Sequence, residues 1–323
     1  MSLRADELID RRRLRRKLTF WRVAALLVAA LGVIAAVWWA SGENLGSATA
    51  HIAKVRIDGT ITEDEELLAR LKRVTESDAV KGVILSIDSP GGTTVGGEAI
   101  FDAVRKLAAA KPTVSQVGTL AASAGYMIAS ASDFIVARQS SFVGSIGVLV
   151  QFPNFTGLLE KIGVTMDEIK SSPLKAEPSP FNPTTEEERA MMRRLIMDSY
   201  EWFVGIVDDR RPLDRAQVLA LADGSVFTGR QALERKLVDA LGGEDRAKEW
   251  LVSKGVDQGL EIVEWKPRQS TAGYFLGSAG RAVASLLGIE AADKGLLERI
   301  GADRIFLDGM LSLWHVENAA PGD

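Results

Sequence analysis

The residue types available for chemistry in this 323-residue chain are few, because it has no cysteine and only two histidines, His51 and His315. Disulfides, thiolate nucleophiles and cysteine-based zinc or iron–sulfur sites are excluded. With no H-E-x-x-H motif, a multi-histidine metal centre is not expected either. Hydrolysis, if the chain performs it, must run mostly without histidine. Three segments could still supply it. Ser89-Pro90-Gly91-Gly92 places two glycines at the end of an apolar run, where bare backbone can aim N–H groups at a developing negative charge. Thr119–Tyr126 (TLAASAGY) surrounds Ser123 with small residues at the start of a helical stretch, and Ser130 and Ser132 lie close by. Composition does not decide which of these serines would act.

A nucleophilic serine needs a base. His51 stands at the start of the main domain and His315 in the tail, so neither occupies a loop between core elements. A lysine is the remaining route. Lys175 lies in a Ser- and Pro-rich loop, 171–183, flanked by Pro173, Leu174 and Pro178. A lysine at its ordinary value of about 10.4 is almost wholly charged at neutral pH. Burial would therefore have to favour the neutral amine.

The elements that must position these groups alternate between strand and helix. Strands are expected at 51–57, 82–88, 113–117, 134–137 and 260–265. Helices are expected at about 62–76 (opened by a capping box of Thr62 and Glu65), after Gly92 to about 110, at 121–132, 185–210, 214–222, 229–237 and 244–253. That alternation predicts an α/β fold with a largely parallel sheet and packed helices.

Charge is distributed unevenly ahead of this domain. Residues 1–22 carry eight basic and three acidic side chains, net +5, against a whole-chain charge of −4. Val23–Ala40 follows without a charge and closes on Trp38-Trp39. Eighteen helical residues span roughly 27 Å, about a bilayer core. The expected reading is one transmembrane helix contacting lipid through 23–40, its basic end cytoplasmic, which places the rest outside. The competing reading is a signal peptide cut after Ala50, since Ala48-Thr49-Ala50 has the A-x-A form. Topology already accounts for the basic block, so no nucleic-acid partner is expected. The expected organisation is a basic cytoplasmic segment 1–22, the membrane helix 23–40, a linker 41–50, the main domain 51–266 and a C-terminal appendage 267–323.

The stretches VILSIDSPGG, GTLAASAGY, VGSIGV and GSVFTGRQALERKLVDALGG occur in that order across roughly residues 52–255. Together they resemble the signal peptide peptidase (protease IV) family of serine peptidases. The resemblance implies a crotonase/caseinolytic-protease-like fold and a Ser-Lys dyad without cofactors. It places the nucleophile at Ser123, the base at Lys175, an oxyanion donor at Gly92 with Gly91 and Ala124 beside it, and a base-orienting hydroxyl at Ser145. Family members often read A-S-G-G-Y where this chain has Ala124, which would contribute its backbone N–H. The resemblance further implies a short, single-copy form that assembles as a ring of identical protomers. Peptide hydrolysis of remnant signal peptides and unfolded apolar segments, at the outer face of a bacterial inner membrane, is the function expected. A crotonase-type acyl-CoA enzyme and a non-catalytic scaffold in membrane-protein quality control are the rival readings.

Overall fold

The computed structural model describes residues 20–28, 32, 49–267 and 311–313. The chain divides into two units, Met1–His51 and Ile52–Asp323. Residues 20–28 are helical. Among the described residues no helix is long and apolar enough to cross a membrane. Most of the expected span 23–40 lies outside the described residues, as do residues 1–19, the linker up to residue 48 and His315.

Among the described residues nine strands form one sheet: β1 (His51–Ile61), β2 (Val80–Thr93), β3 (Thr113–Ala122), β4 (Phe134–Ala137), β5 (Phe142–Gly144), β6 (Val226–Thr228), β7 (Ala240–Leu241), β8 (Ile262–Glu264) and β9 (Leu311–Leu313). The main path runs β6-β5-β3-β2-β1-β8, with β4 joining β3 to β7 and β9 lying on β2. Pairing is parallel for β1–β8, β2–β3, β3–β4, β3–β5 and β4–β7. It is antiparallel for β5–β6 and β2–β9. The expected largely parallel α/β sheet is the one observed.

Eight helices accompany the sheet in the described main unit: α1 (Glu65–Glu76), α2 (Thr94–Ala110), α3 (Ala124–Ser130), α4 (Thr156–Ile162), α5 (Glu186–Arg210), α6 (Arg215–Leu221), α7 (Gly229–Glu234) and α8 (Glu244–Ser253). Side chains along a strand alternate between faces, and β2 divides its apolar run accordingly. Val83, Leu85 and Ile87 join the larger core with α1, α2, α3 and α5 residues such as Leu71, Val104, Met127 and Phe203. Ile84 joins Ile52, Val114 and Val136 in a smaller core closed by Leu251 of α8. Both faces are covered, which is why this strand reads as continuous apolar sequence rather than as alternation.

Local differences from expectation have identifiable causes. Helix α1 is capped by Asp64, whose Oδ1 accepts from the N–H groups of Glu66 and Leu67, both at 3.0 Å. The Thr62–Glu65 capping box is therefore not used, because β1 continues through Ile61 and delays the helix. Thr185, in contrast, opens α5 with a full capping box to Glu188. The small-residue stretch 121–132 is not one helix, since Ala121 and Ala122 finish β3 and α3 begins at Ala124.

The carboxyl end of β2 packs against the end of β1 so closely that Gly92 has no room for a side chain. A Cβ there would stand 1.8 Å from the Ile61 carbonyl oxygen, a backbone atom with no freedom to move aside. Gly92→Ala is expected to destabilise the domain by about 3 kcal/mol or more. Urea unfolding of the variant beside the parent protein measures it.

Candidate active site

Ser123 is the single residue joining β3 to α3. Its backbone takes φ 56° and ψ −120°, a conformation that costs an ordinary side chain on the order of 1–3 kcal/mol. Two hydrogen bonds hold it there. Its N–H donates to the Gly144 carbonyl at 2.8 Å, and its own carbonyl accepts from Met127 N–H at 2.9 Å. The side chain makes no capping bond to α3. Among the described residues its hydroxyl has no hydrogen-bond partner, although the residue is only 1% exposed. The other two serines are committed. Ser130 donates to the Met127 carbonyl at 2.6 Å, and Ser132 is within hydrogen-bond distance of the Ala129 and Phe134 carbonyls. Composition left three serines open; hydrogen bonding leaves one.

The joint is braced from behind. Helix α3 is buried along its whole length. Its last carbonyls are met by cations, Arg210 from α5 reaching Ser130 and Ser132 at 3.0 Å each, and Arg105 from α2 reaching Ala131 at 2.7 Å. Positive charge at a helix carboxyl end is favourable. Burial holds Arg210 below its ordinary value, with the nearby Arg105 charge acting in the same direction. Tyr126, fully buried, donates to the Leu237 carbonyl at 2.9 Å. Burial pushes its phenol well above the ordinary range, so it is a structural donor rather than a base.

The glycine turn stands beside Ser123. A Cβ on Gly125, in the first turn of α3, would lie 3.0 Å from the Ser89 carbonyl oxygen, so that turn and the end of β2 are in contact. Ser89 fixes the loop: its hydroxyl donates to the Gly59 carbonyl at 2.6 Å and accepts from the Gly91 N–H at 3.1 Å. The Gly91 amide is thus already engaged inside the chain, which argues against it as an oxyanion donor. Sequence reasoning quoted Ser89 without giving it a role. The same turn carries β9, paired antiparallel with Gly91 opposite Leu313, Gly92 opposite Ser312 and Thr93 opposite Leu311.

Ser145 follows Gly144, whose carbonyl holds Ser123, and takes a left-handed φ of 50° with its N–H on the Ser225 carbonyl at 2.7 Å. Ser123, Ser145 and the glycine turn are therefore gathered at one end of the sheet. Lys175 makes no hydrogen bond to any of them. It is exposed, and its side chain has no hydrogen-bond or ion-pair partner among the described residues. Its loop is nonetheless organised. Lys175 N–H donates to the Ser172 carbonyl at 3.2 Å, and Lys170 bridges Glu168 at 2.5 Å and also pairs with Glu177. The Lys170 bond holds the Glu177 carboxyl below its usual range, helped by the Ser179 N–H, while Glu168 and then Glu177 raise Lys170. The sign follows from each shift. Glu177's contribution is lost as pH falls through its lowered value, and Lys170's as pH rises through its raised one. His51, the one described histidine, begins β1 with Nδ1 2.7 Å from the Thr49 carbonyl oxygen. Ile61, at the other end of that strand, contacts Gly92, so some 30 Å of strand separates His51 from the turn.

Ser123, with no hydroxyl partner among the described residues, thus stands at a strand–helix joint beside a glycine turn, on a largely parallel sheet. The chain matches Peptidase family S49 over residues 105–257 and Clp protease over 48–140. It is 33% identical over 260 residues to a protein of Enterococcus faecium named as a signal peptide peptidase, covering 76% of this chain and 75% of that one. A protein of Methanocaldococcus jannaschii named as a protease is 35% identical, with 67% and 71% covered. Protease 4 of Haemophilus influenzae is 35% identical over 66% of this chain but 37% of its own length. The chain belongs to peptidase family S49 and is a serine peptidase.

Ser123→Ala is expected to abolish labelling by a fluorophosphonate probe and peptide hydrolysis without unfolding. Ser130→Ala and Ser132→Ala should each cost about 1 kcal/mol of stability, since a buried carbonyl loses its donor, and should keep labelling. Gel fluorescence read beside thermal melts checks all three.

Proposed function

We propose that the chain is a membrane-anchored endopeptidase with a Ser-Lys dyad, Ser123 and Lys175, whose sites are shared between protomers of a ring. The observation that carries the serine is its free hydroxyl on a strained joint, with its neighbours' hydroxyls spent on carbonyls. In this reading Ser123 Oγ attacks the scissile carbonyl while the neutral Lys175 amine takes its proton. The Gly92 N–H, with Ala124 N–H of the first helical turn, receives the oxyanion. The lysine ammonium then protonates the departing amine, leaving an acyl-serine. The same amine deprotonates a water that hydrolyses that ester and restores the hydroxyl. Ser145 orients the amine.

Sharing between protomers is favoured by where the lysine lies. From residue 147 to 187 no residue is buried, and apolar side chains such as Phe155, Leu158, Ile162, Met166 and Phe181 stand exposed there, with Ile169 wholly so. An apolar, outward-facing segment of that length is a surface for another molecule, and a second copy would supply both the cover and the desolvation a lysine base requires. The uncharged run Val23–Ala40 behind a basic block supports anchoring, with the peptidase outside the cytoplasm of a bacterium. The name carried by the Enterococcus faecium relative supports remnant signal peptides as substrates, along with unfolded apolar segments near the bilayer.

Lys175→Ala should lower hydrolysis by about 10²–10⁴-fold. Lys175→Arg should be equally poor, since a guanidinium does not deprotonate. Wild-type activity should rise with pH from neutral into the alkaline range. Mixing Ser123→Ala with Lys175→Ala chains under subunit exchange should restore activity. Confirmed mixed assemblies that stay inactive would place both residues of the dyad in one chain.

A further inference from the structure

Strand β3 is longer than the stretch of β2 it pairs with. Ile87 stands opposite Val117, and two residues later Ser89 stands opposite Ala121. Two extra residues are thus inserted in β3 around Gly118, Thr119 and Leu120. The insertion coincides with a change of neighbour, since β3 pairs with β4 up to Val117 opposite Ala137 and with β5 from Leu120 opposite Phe142. A bulge leaves ladder groups without partners.

Side chains take up those groups. Asp88 Oδ2 accepts from Thr119 N–H at 3.3 Å, and its Oδ1 accepts from Leu120 N–H at 3.1 Å. Ser141 Oγ donates to the Gly118 carbonyl at 2.6 Å, and is itself held by Arg138 N–H at 3.0 Å. The carboxylate sits where a side chain at position 118 would be, since a Cβ on Gly118 would come within 3.0 Å of Asp88 Oδ2. Ser123 lies three residues beyond Leu120. Asp88 is also the neighbour of Ser89, whose hydroxyl holds the Gly91 amide. Two consecutive residues of β2 therefore grip the two halves of the site, Ser89 the glycine turn and Asp88 the strand that ends in the nucleophile.

We infer that Asp88 is a positioning residue for catalysis: by fixing the two-residue bulge of β3, its carboxylate sets where Ser123 stands relative to the Gly91-Gly92 turn. The inference rests on Ser123 as nucleophile and gives Asp88 no contact with substrate. A displaced hydroxyl meets the scissile carbonyl poorly, and small misplacements lower the rate steeply. Loss should therefore fall on the chemical step and leave peptide affinity nearly unchanged.

The test is the rate of fluorophosphonate labelling, with kcat and KM for a short peptide, in the full chain. Asp88→Ala should label and turn over at least tenfold more slowly, with KM within about threefold of wild type. Asp88→Asn keeps one acceptor oxygen for Leu120 N–H and should recover most of the rate. A folded Asp88→Ala protein that labels at the wild-type rate, while Ser123→Ala stays unlabelled, overturns the role of Asp88 alone. A rise in KM with unchanged kcat overturns it as well. If Asp88→Ala does not fold, Asp88→Glu carries the test. It keeps the charge but displaces the oxygens by one methylene, so slow labelling supports the inference and a wild-type rate overturns it. Labelling of Ser123→Ala would instead overturn the nucleophile, and with it the basis of the inference.

Discussion

One strand with two successive neighbours governs this structure. β3 lies beside β4 over its first half and beside β5 over its second, and a strand can change partners only where its ladder is interrupted. That interruption delivers the chain to Ser123. From there the chain passes into α3, and the residue at the joint adopts a backbone geometry that two main-chain hydrogen bonds keep in place. Strain of this kind persists only when its surroundings over-determine it. Here they do, because α3 is enclosed by β2, β3, α2 and α5.

The domain holds itself together without covalent cross-links. One buried polar network is instead wired into backbone. Arg211 of the α5 carboxyl end forms a two-pronged pair with Asp239 at 3.0 and 2.8 Å and also reaches the Lys236 carbonyl at 2.8 Å. Asp239 in turn accepts from Ile135 N–H at 2.8 Å. That network ties the segment between α7 and β7 to β4. Losing one member would strand a buried charge, which costs more than the pair itself contributes.

The elements that bury apolar runs were readable from the sequence: β2, β4 and α8 fall where hydrophobic periodicity puts them, and Thr185 and Asp214 cap the helices they precede. Short strands were not readable. β5, β6 and β7 have three, three and two residues, and nothing in so few side chains distinguishes a ladder from a loop. The site divides the same way. Ser123 and the glycine turn are marked by small residues that only close backbone approach requires. The assignments of Asp88 and Ser89 depend on which N–H groups lie across the sheet, a matter of register that one-dimensional pattern does not contain. Lys175 was singled out by the lack of a suitably placed histidine and by family likeness, since its exposed loop leaves no periodic trace.

β9 has a further consequence for the glycine turn. Two of the three residues it pairs with are glycines, so along Gly91 and Gly92 the pairing is to main chain without side chains. An occupant on the same polypeptide is present at an effective concentration fixed by its covalent connection, on the order of millimolar for a short connection and lower for a longer one. Diluting the protein does not dilute that occupant. Any other extended segment pairing along the same stretch of β2 must outcompete this intramolecular supply, so the threshold for entry is set by polymer statistics as much as by affinity.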